Sequence, residues 1–436
     1  MMNIFFNADE NYIKYLAVLI TSIVKNTDSK KSFKEFCEKA AFKANKDSFL
    51  SSYENVNFEI LSDEDKKEGY IFHILTNFIS DETRDKLLLT CQNLNTLYPC
   101  EVRIHLIDDN EFKGFKKTGA ARENYLPYYR LKAMSFVDKN VSKVLYLDVD
   151  MLVFCDLREL FAIDLKDYIV AAVNDCGSKK RTMCFMENGK VNNYIFDKNY
   201  FNSGFLFINV DEYKKFNIEE KCIQIAKNMI SSKTADQNLL NAAIASDKIL
   251  NLSFSWDFMV IALAFTICKD ESQNRLQYTR AEFMQSIKDI KIFHYGEKPW
   301  KFLKSFIDIK GNNINDYWWQ MVEQTPAFKN ELLKEKESIK YYLILASLGF
   351  ESLNLIKKFR IFSINKLIKD ESKDLERIER LKRIKDDDFS IYIILGEMIN
   401  HARKSKKDGF SVFLKGIKAL YLFNKYSTQK FIKKLK

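Results

Sequence analysis

The sequence has little glycine and proline, no C-x-x-C motif and only four histidines. Its 12 glycines and 4 prolines among 436 residues exclude collagen-like, Gly/Ser-rich and Pro-rich linker segments. The eight cysteines are scattered, so neither a disulfide framework nor a structural zinc site is expected, and a reducing cytoplasm is the expected compartment. The longest apolar run, residues 258–268, is about half as long as a bilayer span. Because the amino terminus also lacks a signal-peptide pattern, we predict a cytoplasmic chain that is not an integral membrane protein.

A strongly basic charge balance is absent from most of the chain. The formal net charge is +10, but residues 331–436 carry +11 and residues 1–330 are nearly neutral. Nucleic-acid enzymes usually spread basic charge over the catalytic domain, so nucleic acid is not an expected partner. The length predicts one large domain with a smaller element.

Apolar strands and amphipathic helices alternate in the first part of the chain. In chain order these are a strand at 2–7, a helix through 16–24, a strand at 70–77, a helix at 80–94 and a strand at 101–108. The order βαβαβ predicts an α/β fold with a doubly wound, mostly parallel sheet. Residues 28–68 are polar and irregular, which indicates an insertion. No G-x-G-x-x-G or P-loop is present, so phosphates are not expected to lie in a glycine-rich loop.

Residues 143–154, KVLYLDVDMLVF, contain a predicted buried strand that runs into Asp148 and Asp150. Side chains alternate along a strand, so these two carboxylates are expected on one face. They repel each other unless a hard cation such as Mg²⁺ or Mn²⁺ lies between them. Two alternatives stay open on this stretch alone. The acids can be solvated at a strand end, or the motif can be the phosphatase signature of haloacid-dehalogenase-like enzymes, in which Thr or Val would replace Leu152.

Polar residues also follow other apolar segments of the chain. They are Asp9 after the first strand, Arg130 in a predicted helix at 123–137, Asp175 after a strand at 168–175, Asn202 in a turn, Asp236 and Gln237 at a helix start, and His294 followed by Gly296 and Lys298. Each has a structural alternative. Asp9 can cap the following helix, Arg130 can be a solvated helix residue, and a single histidine is more often structural than a ligand.

Seven segments in this order resemble the family-8 retaining glycosyltransferases, which include bacterial lipopolysaccharide glucosyl- and galactosyltransferases and glycogenin. The segments are FFNADENYIKYLAVLITSI, YYRLKA, KVLYLDVDMLV, VAAVND, FNSGFLFIN, ADQNLLN and HYGEKPW. The resemblance implies a GT-A fold, a nucleotide-sugar-binding α/β domain, for residues 1–330. It also sets aside the phosphatase interpretation, because that signature would not explain the other six segments.

The resemblance assigns roles to individual residues. It implies that Mn²⁺, or Mg²⁺, is bound by Asp148, Asp150 and His294. The uridine is expected at Ala8, Asp9, Asn11 and Tyr12, and the diphosphate at Gly296 and Lys298. Arg130 is expected to bind the donor, and the donor sugar is expected beside Asp175, Asn202, Asp236 and Gln237.

The expected reaction is transfer of galactose or glucose from a UDP-sugar to a saccharide acceptor, with retention of the anomeric configuration. Retention can come from a double displacement through Gln237 or Asp175, or from attack on the same face that the phosphate leaves. We favour same-face attack because glutamine is a poor nucleophile. The expected acceptor is a lipid-linked glycan, the lipopolysaccharide or lipooligosaccharide core. A glycogenin-like or protein-directed glucosyltransferase and an inactive nucleotide-sugar-binding scaffold remain alternatives.

The last hundred residues are predicted to form a helical, basic extension, residues 331–436. Residues 371–385 have the spacing of an amphipathic helix. Residues 409–436 mix aromatic and aliphatic residues with seven lysines and no acid. This pattern favours a helix on an anionic membrane surface, peripheral to the inner face of the cytoplasmic membrane. The alternative is a helical appendage that packs on protein.

Overall fold

The protein is described by a computed structural model. It describes residues 1–39, 53–116, 124–177, 181–196, 199–231, 234–267, 277–296, 298–303 and 306–348. These residues form two compact units. Unit 1 is built from Met1–Met259, Arg275–His294 and Gln324–Phe328, and unit 2 contains the described parts of Val260–Asn274, Tyr295–Glu323 and the chain from Lys329 onward.

The strands among the described residues are β1 Met2–Asn7, β2 Tyr70–Thr76, β3 Cys100–Leu106, β4 Lys143–Leu147, β5 Met151–Val153, β6 Val170–Asn174, β7 Thr182–Glu187, β8 Lys190–Ile195, β9 Phe201–Asn209, β10 Met229–Ser231, β11 Ile249–Asn251, β12 Phe258–Met259 and β13 Ile292–His294. The helices are α1 Ile13–Lys25, α2 Phe33–Cys37, α3 Asp63–Lys66, α4 Asp81–Asn95, α5 Arg158–Phe161, α6 Val210–Lys215, α7 Ile218–Asn228, α8 Ala235–Ala243, α9 Arg280–Ser286, α10 Ile314–Val322 and α11 Lys329–Leu348.

Unit 1 is organised around a seven-stranded sheet in the order β11-β6-β9-β4-β1-β2-β3. Strands β1, β2, β3 and β4 are parallel neighbours, and β11 is parallel to β6, whereas β9 runs antiparallel to both β4 and β6. Every residue of β1 and β2 is buried, as expected for mainly apolar strands covered on both faces, and the buried polar side chains Asn3 and His73 pair with each other. The prediction of an α/β fold with a mostly parallel sheet is confirmed.

The two aspartates of the D-x-D motif do not lie on a strand. Strand β4 ends at Leu147, and residues 148–150 form a turn that leads into β5, which belongs to a different, three-stranded sheet. The prediction that strand alternation places both carboxylates on one face was therefore wrong. In the second sheet β5 pairs antiparallel with β13, and His294 is the partner of Met151. This pairing brings His294 next to the turn across 143 residues of sequence.

The segment predicted as a helix at 123–137 is a 3-10 helix over Leu126–Phe136. Pro127 has no backbone N–H, and its carbonyl accepts a hydrogen bond from Arg130 Nε at 3.0 Å. The side chain of Arg130 thus uses a carbonyl that the backbone of an α-helix would use. Residue 123 lies outside the described residues.

The predicted insertion at 28–68 is described in two parts, 28–39 and 53–68, which contain the short helices α2 and α3. The buried guanidinium of Arg158 holds the first part, because it donates to the carbonyl oxygens of Asp28 and Lys31, each at 2.5 Å. Residues 40–52 lie outside the described residues.

Unit 2 has an aromatic core around α10. Trp318 and Trp319 are buried, and the Trp300 ring lies 5.5 Å from that of Trp318. The Tyr295 hydroxyl donates to the carbonyl of Ile314 at 2.8 Å. The predicted extension begins within α11, and the rest of it, residues 349–436 with both predicted tail helices, lies outside the described residues. In the part of the chain that the structure describes, no helix has the length and apolar character to cross a bilayer.

Candidate metal and donor site

Asp148, Asp150 and His294 converge at the end of β4. Each offers one ligand atom, and these three atoms all lie within 4.8 Å of one another. Asp150 and His294 are buried, and His294 Nε2 lies 3.6 Å from Asp150 Oδ1. Two carboxylate oxygens and an imidazole nitrogen form a donor set that suits Mn²⁺ or Mg²⁺ with coordination positions left for other ligands. The three side chains therefore fit the metal that the resemblance implies.

His294 is held between two carboxylates. Its Nδ1 lies 2.8 Å from Asp257 Oδ1, and its Nε2 faces Asp150. Burial lowers the pKa of His294, but the carboxylates of Asp257 and Asp150 outweigh burial and raise this pKa well above its usual value. The raised pKa favours a second ring proton, on Nε2, and a metal ion that uses Nε2 as a ligand must displace it.

Arg130 is buried and contacts two acids of the site. Its Nη2 lies 2.9 Å from Asp148 Oδ1, and its Nε lies 3.3 Å from Asp236 Oδ2. Burial lowers the pKa of Arg130, but the effect of Asp148, Tyr146 and Asp236 is larger and raises this pKa above its usual value. The guanidinium therefore stays charged. The alternative of a solvated helix residue was wrong for Arg130, because its side chain is only 6% exposed.

A continuous line of hydrogen bonds joins Asp236 to Asp175. Ser203 Oγ donates to Asp236 at 3.0 Å, and the Ser203 backbone N–H donates to Gln237 Oε1 at 3.1 Å. Gln237 Nε2 then donates to Asp175 Oδ2 at 2.8 Å. The other oxygen of Asp175 accepts from the backbone of Gly177 at 2.6 Å and from Arg181 at 3.3 Å. Each oxygen of the Asp175 carboxylate thus accepts at least one hydrogen bond.

Gly204 allows this close packing. A Cβ placed on Gly204 would lie 2.7 Å from Asp148 Oδ2 and 2.8 Å from both Asn202 Oδ1 and His294 Cε1. The Gly204 N–H donates to Asn202 Oδ1 at 2.7 Å, and its carbonyl accepts from the Asp148 N–H at 2.8 Å. Any side chain at this position would push against the acid and the imidazole together.

The residues expected to contact the uridine lie beyond the end of β1, which is parallel to β4, so both strands end at the same edge of the sheet. Ala8 is buried, and the Asp9 carboxylate accepts from the backbone N–H groups of Asn11 and Tyr12 at 2.9 and 3.1 Å. These contacts close a turn ahead of α1, whose N-cap residue Tyr12 has no side-chain cap hydrogen bond, so the alternative in which Asp9 caps this helix was wrong.

Gly296 and Lys298 belong to unit 2. Gly296 has φ +59° with open space where a Cβ would be, and the Lys298 carbonyl accepts from the Lys301 N–H at 2.9 Å in a turn. Their assignment to the diphosphate stays a prediction.

Sequence reasoning missed four residues that complete the geometry of the site: Tyr146, Ser203, Gly204 and Asp257. One of them carries a detectable signal, because Asp257 is the single charged residue in the segment 249–268. A lone acid in an otherwise uncharged, largely apolar stretch is expected to have a specific partner. Ser203 and Gly204 have no comparable signal, since their contacts form only after β9 packs beside β4.

Known proteins resemble this chain in sequence and in fold. The family described as Glycosyl transferase family 8 matches residues 3–304. A protein of Haemophilus influenzae is 30% identical over 258 residues, which are 59% of this chain and 63% of that protein. The lipopolysaccharide 1,2-glucosyltransferase of Escherichia coli is 26% identical over 294 residues, covering 64% of this chain and 79% of that enzyme.

Among solved structures, the bifunctional glycosyltransferase WbbM has a TM-score of 0.51 and 19% identity, and the match covers 77% of this chain and 51% of that one. This likeness concerns the fold alone, and the fold class predicted as GT-A is confirmed. The family match extends over more than half of the 436 residues and includes the D-x-D motif and His294. The chain belongs to glycosyltransferase family 8.

Proposed function

We propose that this protein is a metal-dependent, retaining hexosyltransferase that moves galactose or glucose from a UDP-sugar to a saccharide acceptor. The observation that carries the proposal is the convergence of Asp148, Asp150 and His294 within 4.8 Å at the carboxyl edge of the sheet. In α/β sheets this edge is where ligands bind. Membership of family 8 supports the same reaction class.

The metal-binding residues in this proposal are Asp148, Asp150 and His294, with Mn²⁺ as the preferred ion and Mg²⁺ as the alternative. When bound, the cation supplies Lewis-acid stabilisation of the negative charge on the leaving diphosphate. Ala8, Asp9, Asn11 and Tyr12 remain the proposed uridine contacts, and Gly296 and Lys298 the proposed diphosphate contacts.

Arg130 provides fixed positive charge beside the acids of the site. It is buried and pairs with Asp148 and Asp236, so its guanidinium needs no reorganisation when negative charge develops on a substrate. Its hydrogen bond to the Ser203 carbonyl also links it to β9, the strand that carries Asn202. Arg130 thereby orients the acids that we propose to line the donor sugar, Asp236 above all.

The hydrogen bonds of Asp175 and Gln237 favour same-face attack over double displacement. Gln237 already uses its amide oxygen and its amide nitrogen in contacts to Ser203 and Asp175. Asp175 is hydrogen-bonded through both oxygens, which lowers the availability of its lone pairs for attack on the sugar. We propose that these two residues hold the sugar and that neither forms a covalent intermediate.

The proposed acceptor is a lipid-linked glycan such as the lipopolysaccharide or lipooligosaccharide core. The relative from Escherichia coli is by name a lipopolysaccharide glucosyltransferase, which supports a bacterial surface glycan. We further propose that residues 409–436 bind the inner, anionic surface of the cytoplasmic membrane. A glycogenin-like or protein-directed glucosyltransferase is the alternative. Transfer of the sugar to a polypeptide, and not to a lipid-linked glycan, would identify this alternative.

The decisive experiment measures release of UDP from a panel of UDP-sugars with Mn²⁺, with Mg²⁺ and with excess chelator. We expect turnover of UDP-galactose or UDP-glucose that depends on the metal and that Asp150→Asn abolishes. Glu64→Gln, at a half-exposed site in the insertion, is the matched acid-to-amide control and is expected to keep full activity. Full turnover in chelator or in Asp150→Asn would contradict the proposal, and absence of turnover with every donor would favour an inactive scaffold.

A further inference from the structure

A buried carboxylate stands directly behind His294. Asp257 is fully buried, and its Oδ1 lies 2.8 Å from His294 Nδ1. Its Oδ2 is buried too and has no hydrogen-bond partner among the described residues. A buried carboxylate usually has all its lone pairs satisfied, because a charge that leaves water is costly without several partners. The imidazole is the hydrogen-bond partner of Asp257 among the residues that the structure describes, which ties the presence of this carboxylate to that ring.

Backbone contacts fix Asp257 in this position. It ends the 3-10 helix Phe254–Asp257, immediately before β12, and β12 pairs in parallel with β13 so that Met259 is the partner of His294. The carbonyl of Ser255 accepts from the Lys291 N–H at 2.9 Å, which attaches the turn to the start of β13 as well. Asp257 therefore directly precedes the strand that pairs with β13, the strand of His294, so the carboxylate and the imidazole cannot separate without disturbing that pairing.

We propose that Asp257 is the positioning residue of the metal site: its carboxylate accepts the Nδ1–H of His294, fixes the tautomer whose Nε2 lone pair faces Asp150, and strengthens that nitrogen as a donor to the cation. This inference rests on the proposed metal-dependent function. Histidine ligands generally donate their second N–H to a carboxylate, a carbonyl or water, and loss of such a partner typically weakens metal affinity about 10- to 100-fold.

A hydrogen bond that only held the turn would not need a charge. An asparagine or a serine could accept the Nδ1–H without the cost of a buried carboxylate. The negative charge, however, increases the electron density on the ring and opposes the positive charge that a cation brings to Nε2. The charge of Asp257 thus has a role toward the metal that its hydrogen-bonding geometry alone does not require.

The test is a double-mutant cycle on the full chain, with Mn²⁺ alone as the probe. Electron paramagnetic resonance of free Mn²⁺ gives the affinity of wild type, Asp257→Asn, Asp257→Ala, His294→Ala and the double variants. We expect Asp257→Asn to weaken binding about 10-fold and Asp257→Ala up to about 100-fold. In the His294→Ala background both changes are expected to have little further effect, because Asp257 acts through the imidazole.

Ser255→Ala, in the same 3-10 helix, is the control for a purely structural disturbance, and the urea midpoint of each variant is measured in parallel. Unchanged affinity in both Asp257 variants, or equal losses with and without His294, would overturn this inference while leaving the metal-dependent function in place. A wild-type protein that does not bind Mn²⁺ would overturn the proposed function and this inference with it. The two failures are thereby distinguished.

Discussion

Two buried histidines in unit 1 occupy opposite electrostatic environments. His73 lies in the middle of β2, stacked 4.1 Å from the Phe5 ring, with Nε2 2.8 Å from Asn3 Oδ1 and Nδ1 2.9 Å from His105 Nε2. Because Asn3 uses its amide nitrogen on the Met1 carbonyl, its Oδ1 accepts from His73 Nε2–H. His73 Nδ1 then accepts from His105. Among the described residues, the hydrogen-bond partners of His73 are an amide and an imidazole, whereas His294 faces the carboxylates of Asp257 and Asp150.

The difference shows that burial alone does not decide the charge of a histidine. Both rings are almost completely buried, and burial disfavours the imidazolium in each case. At His73 burial is the largest cause and, together with the neighbouring His105 and Arg103, lowers the pKa to about 3. At His294 the carboxylates reverse the direction and raise the pKa. The first histidine is thus a neutral core residue and the second is suited to exchange a proton for a cation.

The largest expected effect separates the two histidines by function. We expect His294→Ala to lower metal-dependent transfer at least about 100-fold, since a bound cation supplies several kcal/mol of charge stabilisation and each 1.36 kcal/mol is tenfold in rate. His73→Gln is the matched variant and is expected to keep transfer close to wild type. Steady-state release of UDP measures both. A large loss in His73→Gln at unchanged fold, or none in His294→Ala, would remove the distinction.

A smaller effect concerns the pH dependence of metal binding. With its raised pKa, His294 is protonated without metal, so binding of Mn²⁺ is expected to release about one proton and to strengthen about tenfold per pH unit below that pKa. Calorimetric titration in buffers of different ionisation enthalpy counts the proton. In His294→Ala the released proton is expected to disappear, and its persistence would assign the proton to another group.

The smallest effect is on stability in acid, where His73 is the relevant group. Its pKa is about 3 in the folded protein and 6.5 for an unperturbed histidine, so between these pH values the unfolded chain binds more protons and stability falls as pH falls. The slope from this single group is at most about 1.4 kcal/mol per pH unit. His73→Gln is expected to lower the free energy of unfolding by about 1–3 kcal/mol near neutral pH, because Asn3 and His105 lose their partner. The variant is also expected to lack the contribution of His73 to the pH dependence of this free energy. Urea unfolding from pH 7 to pH 4 measures both quantities, and an unaltered slope would show that His73 does not titrate on unfolding.

Much of the fold could be predicted from the sequence because its signals are local. Strand β1 was predicted over 2–7 and lies there, and the helix signal at 80–94 corresponds to α4 with Ser80 as its cap. Apolar runs and capping residues within a few positions of each other are enough to predict these elements. The helix predicted at 123–137 is a 3-10 helix over Leu126–Phe136, and the sequence pattern indicated a helix without its hydrogen-bonding type.

The site was predictable only where motif residues carry a recognisable pattern. Asp148, Asp150 and His294 were identified from the D-x-D motif and the family resemblance, and the structure brings all three together. The reason for their convergence was not predictable, because it depends on a turn between two sheets and on the pairing of β5 with β13. Gly204 was missed for the same reason, because its contacts are made to residues that are distant in sequence, and the isolated charge of Asp257 does not reveal that its partner is His294.

The most direct test of the central claim is a crystal structure of the protein with Mn²⁺ and UDP, with the metal located by anomalous scattering. The account predicts one strong peak coordinated by Asp148, Asp150 and His294 Nε2, with the diphosphate oxygens on its open side. A metal bound elsewhere, or an imidazole turned away from the two acids with no space for a diphosphate, would contradict it.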